Sequence, residues 1–209
     1  MPSAIDILQG LSQMRDEQHS AAILWHGALL ALVLALIFGF RPRQHQARVA
    51  LVAPLASVSV FAWSYGNPFN GTMFGLAAAL LAMLGAYGPS AHRAGRAAFP
   101  AAAVGVLLIV FGWAYPELEG ATSWWAALWE APVGVIPCPT LAVVIGLALL
   151  GDGLGSTPWS LALSGLGLFY GIFGAWYLGV SIDWVLFIGA ALLALEASRK
   201  RPGRTGSQK

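Results

Sequence analysis

The sequence predicts an all-α fold: a polytopic transmembrane helical bundle of about seven spans, with the N-terminus outside and the C-terminus in the cytoplasm. Three observations carry this prediction. The chain is 58% hydrophobic and only 10% charged, whereas a water-facing surface normally needs about 25% charged residues. Its apolar residues fall into runs of roughly 20, the length that crosses about 30 Å of hydrocarbon at about 1.5 Å per residue. Ten of the eleven lysines and arginines then fall on one side of the membrane, as basic residues of cytoplasmic loops do.

The first segment, residues 1–20, places Ile5, Leu8, Leu11 and Met14 at helical spacing. It reads as a short amphipathic helix lying on the outer surface, against the alternative of a disordered tail. With Asp6, Arg15, Asp16 and Glu17 in it and no basic stretch leading into an apolar core, it does not read as a cleaved signal peptide.

The bundle occupies residues 21–198. Its first run, 21–40, is stopped by Arg41, Pro42 and Arg43. The second, 47–65, contains Pro54, whose missing N–H predicts a kink. Gly66-Asn67-Pro68 turns the chain into a third run, 69–87, and a polar link leads to a fourth, 97–115, closed by Tyr115-Pro116. The longest connection follows, with Glu117, Glu119 and Glu130 among Trp124, Trp125 and Trp129. Those tryptophans suit an interfacial belt. A fifth run, 139–150, is too short to cross unaided unless residues 133–137 also enter the membrane. The sixth and seventh runs are 159–178 and 182–197, and a basic tail, 199–209, follows.

An odd number of spans gathers Arg41, Arg43, Arg48, Arg93, Arg96 and the tail on one side and leaves Arg15 alone on the other. An even number splits the set. The orientation rests on this, and the membrane expected is a bacterial cytoplasmic one.

Composition also excludes. A formal net charge of +2, with basic residues scattered between spans, does not suit nucleic acid; the lipid bilayer is the partner expected. One cysteine, Cys138, rules out an internal disulfide and a cysteine-based metal cluster. No Walker loop, HExxH, dinucleotide glycine fingerprint or metal-spaced histidine pair is present. Neither metal nor cofactor is expected, and a stand-alone ATP-driven pump is disfavoured.

In lipid, helices associate through small residues that let backbones approach. Gly167, Gly171, Ala175 and Gly179 form such a stripe on the sixth run, Ala97, Ala101 and Gly105 on the fourth, and Gly71, Gly75 and Ala79 on the third. These seams serve internal packing or, alternatively, a second copy or another membrane protein.

Polar groups within a membrane are costly and often functional. On the predicted topology they gather toward the outer face: His26, Asn67, Glu130, Cys138, Thr140 and Asp183. These are the candidate substrate-binding residues. Pro137-Cys138-Pro139-Thr140 stands out, because a proline favours the first helical position and would make Cys138 the N-cap. A helix N-terminus attracts anions and activates thiols, and helices that begin within the membrane build many transporter sites. Each residue also has a plainer reading. Cys138 suits a small buried apolar group, His26 an interfacial or locally bonded residue, and Asp183 a cap on the seventh helix.

The Pro137-Cys138-Pro139-Thr140 motif, with Tyr115-Pro116 and Gly134 before it, resembles an uncharacterised family of small bacterial multi-pass membrane proteins, a domain of unknown function. Asn67-Pro68 with Phe74-Gly75, and Leu178-Gly179-Val180 with Asp183, extend the resemblance over most of the chain. Two features depart from it: Trp63, Ser64 and Tyr65 stand where members carry a histidine, and the interval from Gly134 to Pro137 is one residue longer. The resemblance implies a bacterial membrane and a shared fold, but no activity.

Three functions stay open on sequence alone. Small-solute transport or permeation through the outer polar cluster requires access to Cys138. A non-catalytic partner or assembly protein of a membrane complex requires an exposed small-residue seam. An enzyme acting on a lipid-like substrate requires two of the polar groups within about 3 Å of each other.

Overall fold

The computed structural model describes residues 4–87, 93–95, 97–115 and 131–199. Five of its helical segments are long and apolar enough to cross a membrane: His19–Leu36, Gln44–Ser64, Pro68–Ala86, Thr157–Tyr177 and Ser181–Arg199. Two shorter apolar helices, Phe99–Trp113 and Pro137–Leu150, complete the bundle among the described residues.

Helix α1 (Ala4–Glu17) is the amphipathic segment. Leu11 and Met14 are buried with Ile7 alongside, packed against Ala22, Val135 and Ile136. Ile5 is 66% exposed, so the inward stripe runs through Ile7, Leu11 and Met14, and not through Ile5 as the sequence spacing predicts. The junction with α2 (His19–Ile37) is strapped to the end of a later helix. Gln18 Nε2 donates to the Tyr65 hydroxyl (2.8 Å), which donates to Glu17 Oε2 (2.9 Å). At the far end of α2, Arg41 Nη1 donates to the carbonyls of Leu36 and Phe40.

The second run is broken into α3 (Gln44–Ala50) and α4 (Val52–Ser64). Pro54 causes this: it has no N–H for the Ala50 carbonyl, and its ring crowds that residue four positions back. Asn67 caps α5 (Pro68–Ala86) by accepting from the Asn70 N–H (3.0 Å), with Pro68 at the first helical position. Helices α4 and α5 form a hairpin whose seam uses Gly71 under the Trp63 indole and Gly75 against Ser59.

Helices α6 (Phe99–Trp113) and α7 (Pro137–Leu150) make the most extensive helix pair among the described residues. Gly105 and Gly146 meet backbone to backbone: a Cβ on Gly105 would lie 2.8 Å from the Gly146 carbonyl oxygen, and one on Gly146 2.6 Å from that of Gly105. Helix α7 also touches α4 and the two helices that follow it. Every residue from 131 to 149 is buried, so the loop leading into α7 lies in the protein interior. This is the answer to the short fifth run. Its helix, about 21 Å long at about 1.5 Å per residue, is preceded by buried loop and packed on by α4, α6 and the two helices that follow.

After α7 the chain makes a left-handed turn. Asp152, Gly153, Leu154 and Gly155 have φ of 57°, 66°, 51° and 66°, a conformation costing about 1–2 kcal/mol at each residue with a side chain. Buried Arg48 supports it, its Nη1 donating to the Leu154 carbonyl (2.9 Å). Helix α8 (Thr157–Ile172) then widens into a π-helical turn, Phe173–Tyr177. A 3₁₀ turn, Ser181–Asp183, leads into α9 (Trp184–Arg199). Gly167 lies against Ile145 and Ala190, and Gly171 against the Phe187 backbone, so half of the predicted stripe is used within the chain. Ala175 is half-buried and Gly179 open.

Candidate functional site

Polar side chains from five elements converge around the first turn of α7. Tyr115, just past the end of α6, donates from its hydroxyl to Asp183 Oδ1 (2.7 Å). The Cys138 thiol interacts with both Asp183 and Tyr115. Tyr170, on α8, donates to Asn70 Oδ1 on α5 (2.8 Å). All five are buried, Asp183 to 1% exposure.

Local structure explains how the acid reaches this place. The π turn shifts the hydrogen-bond register by one residue, Leu178 N–H bonding to the Phe173 carbonyl (3.1 Å), and such turns recur at functional sites. The chain then doubles back, with Val180 N–H bonded to the Gly174 carbonyl (2.9 Å). Gly174 faces Asp183 Oδ2 at a distance only a glycine allows. Asp183 therefore turns inward to the phenol and the thiol at the start of α9.

The first turn of α7 differs in detail from the sequence expectation. The helix begins at Pro137, with Ile136 as its N-cap, so Cys138 lies within the first turn. Thr140 fixes the loop before it. Its Oγ1 accepts from the Gly134 N–H (2.8 Å) and donates to the Ile136 carbonyl (2.6 Å). Gly134, at φ 78°, supports the Trp25 indole so closely that any side chain there would collide with it. Thr140 thus shapes the site and does not line it.

The other candidates separate. His26 is fully buried, and its Nδ1 donates to the Ala22 carbonyl one turn back (2.8 Å). Its ring stands edge-on to Trp113 with centroids 5.1 Å apart, leaving it outside the Cys138–Asp183 group. Asn67 is spent on capping α5, and its neighbour Asn70 is the asparagine that joins the network. Glu130 lies outside the described residues, as do Glu117, Glu119 and the tryptophans beside them.

Sequence reasoning singled out Cys138 and Asp183 but gave Tyr115 no chemical role and passed over Tyr170. The available signal for Tyr170 was a phenol amid the small residues of a membrane helix, where its hydroxyl needs a partner. Tyr115, Cys138 and Asp183 meet in space. Two more, Gly134 and Thr140, are bonded to each other. Chemically, the arrangement presents a carboxylate, two phenols, an amide and a thiol in a low-dielectric interior. It is suited to hold a group that offers N–H or O–H donors or positive charge.

No family model, curated protein or solved structure compared with the chain gives a match.

Proposed function

We propose that the protein is a seven-span membrane protein, N-terminus outside, that moves a small donor-bearing or cationic solute across a bacterial cytoplasmic membrane. Its binding site is centred on Asp183. The single observation supporting this reading is the convergence of Asp183, Cys138 and Tyr115 at the first turn of a short helix that starts inside the bundle. Ionisable groups within a membrane mark substrate and ion pathways, and interrupted helices are how many carriers form a site near mid-membrane. Interruptions here sit at Leu51, at residues 131–136, and at the π turn before Asp183. Belonging to the Pro-Cys-Pro-Thr family is part of the same proposal, because Tyr115, Cys138 and Asp183, three of the residues that carry that resemblance, are residues of the site.

Purified protein in proteoliposomes, assayed by electrogenic current or solute uptake over a panel of amines, amino acids and polyols, tests the reading. Flux of one solute class is expected with the wild type, and a loss of at least about tenfold with Asp183→Asn at unchanged thermal stability. The same solute is expected to speed alkylation of Cys138, because a buried thiol must open to water during a transport cycle. Absence of flux together with a thiol that reacts only on denaturation would sink the proposal and leave a packed structural core. Turnover of a lipid dependent on Cys138 would replace it with the enzymatic reading. The assembly reading is weakened by Gly167 and Gly171, which are covered within the chain.

A further inference from the structure

The opposite end of the bundle carries a feature independent of the Asp183 site. The loop after α2 and the loop before α6 are zipped together by an isolated antiparallel bridge between Arg43 and Arg93. Ala94 N–H bonds to the Pro42 carbonyl (3.0 Å) and Ala97 N–H to the Leu150 carbonyl (3.3 Å), which fixes this ribbon to the end of α7.

Residues facing each other across an antiparallel bridge project their side chains to the same side, about 5 Å apart at the backbone. The two arginines are therefore anchored side by side at the backbone with their side chains leaving on the same side, and like charges directly opposite destabilise such a pairing. Both residues are exposed. Among the described residues neither side chain has a hydrogen-bond or ion-pair partner. Two neighbouring arginines are committed elsewhere: Arg41 caps α2, and Arg48 is buried against the left-handed turn. The carboxylate of Asp152 lies beside Gly95, two residues on from Arg93, yet no described acid pairs with either arginine, so the two cations are placed to take up a further anion.

The surroundings say which anion. The helix ends at this face carry exposed aromatics: Phe38 at 85% and Phe40 at 54% after α2, Tyr87 at 87% after α5, and Phe99 at 84% opening α6. Exposed phenylalanines at helix ends suit contact with hydrocarbon, and Tyr87 beside them is of the amphipathic type that sits at headgroup level. A charge pair at that depth meets lipid headgroups before it meets soluble polyanions.

We propose that Arg43 and Arg93 form a binding site for the phosphate of an anionic phospholipid in the adjoining leaflet. The lipid bridges two loops that would otherwise repel, and so clamps α2–α3 to α6.

The test uses full-length protein in nanodiscs of phosphatidylcholine, with and without phosphatidylglycerol. It reads the thermal midpoint together with lipid retained in native mass spectrometry. Phosphatidylglycerol is expected to raise the midpoint and to be retained, with the effect fading in high salt. The R43Q/R93Q double variant is expected to lose about thirty-fold in apparent affinity for that lipid, which corresponds to about 1 kcal/mol of headgroup attraction per arginine. Should the double variant fail to fold, R43Q and R93Q singly decide: each is expected to lose part of the dependence. Equal stability of the wild type in both lipids, or full lipid dependence in variants that have lost these arginines, overturns the site. An equal rise from inorganic phosphate added to neutral nanodiscs overturns the lipid assignment in favour of a soluble anion.

Discussion

Thr140 shows how a residue chosen for chemistry can instead hold structure. Its hydroxyl accepts from the Gly134 N–H and donates to the Ile136 carbonyl, and all three residues are buried. Thr140→Val keeps the shape but strands a buried N–H, which costs about 1–3 kcal/mol. A lower thermal midpoint in detergent is expected, with Thr140→Ser restoring it; an unchanged midpoint in the valine variant would remove the proposed lock. Asp183 differs from Thr140 in that Asparagine at 183 can still accept from Tyr115, so Asp183→Asn separates charge from packing. Neither distinction is visible in sequence. A threonine four residues after a carbonyl commonly bonds back along its own helix, but the added bond from Gly134 depends on how the preceding loop folds over.

Among the elements, α1 is held most lightly, by a small apolar stripe and by the Gln18–Tyr65–Glu17 strap. Hydrogen bonds from Gln13 and then Tyr65 hold the Glu17 carboxyl below its ordinary value. A carboxyl lowered on folding contributes stability that is present above its unfolded pKa and lost as pH falls through the folded one. The amide protection factors of residues 4–17, corrected for the intrinsic slowing of exchange in acid, are therefore expected to fall on acidification below the usual carboxylate range. Glu17→Gln should flatten that dependence, and an equally steep response in the variant would show that another group controls it. The periodicity of α1 was legible in sequence, but its inward face was turned from Ile5 to Ile7, because Val135 and Ile136 supply the surface it meets. The break in the second run was legible too, since Pro54 acts on its own helix. The π turn was not: nothing local to Phe173–Tyr177 requires it, and its consequence appears only where Gly174 meets Asp183.

For the molecule as a whole, the proposed orientation makes a direct prediction. On a Cys138→Ala background, Gln9→Cys on the exposed side of α1 should react with an impermeant maleimide in intact cells. Ser198→Cys, exposed at the end of α9, should react only after the membrane is opened. The reverse pattern, or both sites on one side, overturns the arrangement. Such a protein organises itself around α7, the most deeply buried helix, and not around its longest one. Glycines at the α6–α7 and α8–α9 contacts let this happen, because in lipid the attraction between helices depends on close approach.

The sequence alone determined the solvent, the helical class, most helix limits, the kink at Pro54 and the rarity of the polar groups near the start of α7. These follow from hydropathy, period and proline chemistry, all of which act within about one turn or one span of the residues concerned. Only the tertiary structure decided which polar groups meet. Tyr115 and Asp183 are 68 residues apart and Asn70 and Tyr170 are 100 apart, and their pairing depends on helix crossings and on where each helix is interrupted. Likewise it turned Asn67 into a cap, set His26 beside Trp113, and paired Arg43 with Arg93. A buried polar group must find a partner, but its own sequence neighbourhood does not specify which distant helix will supply one.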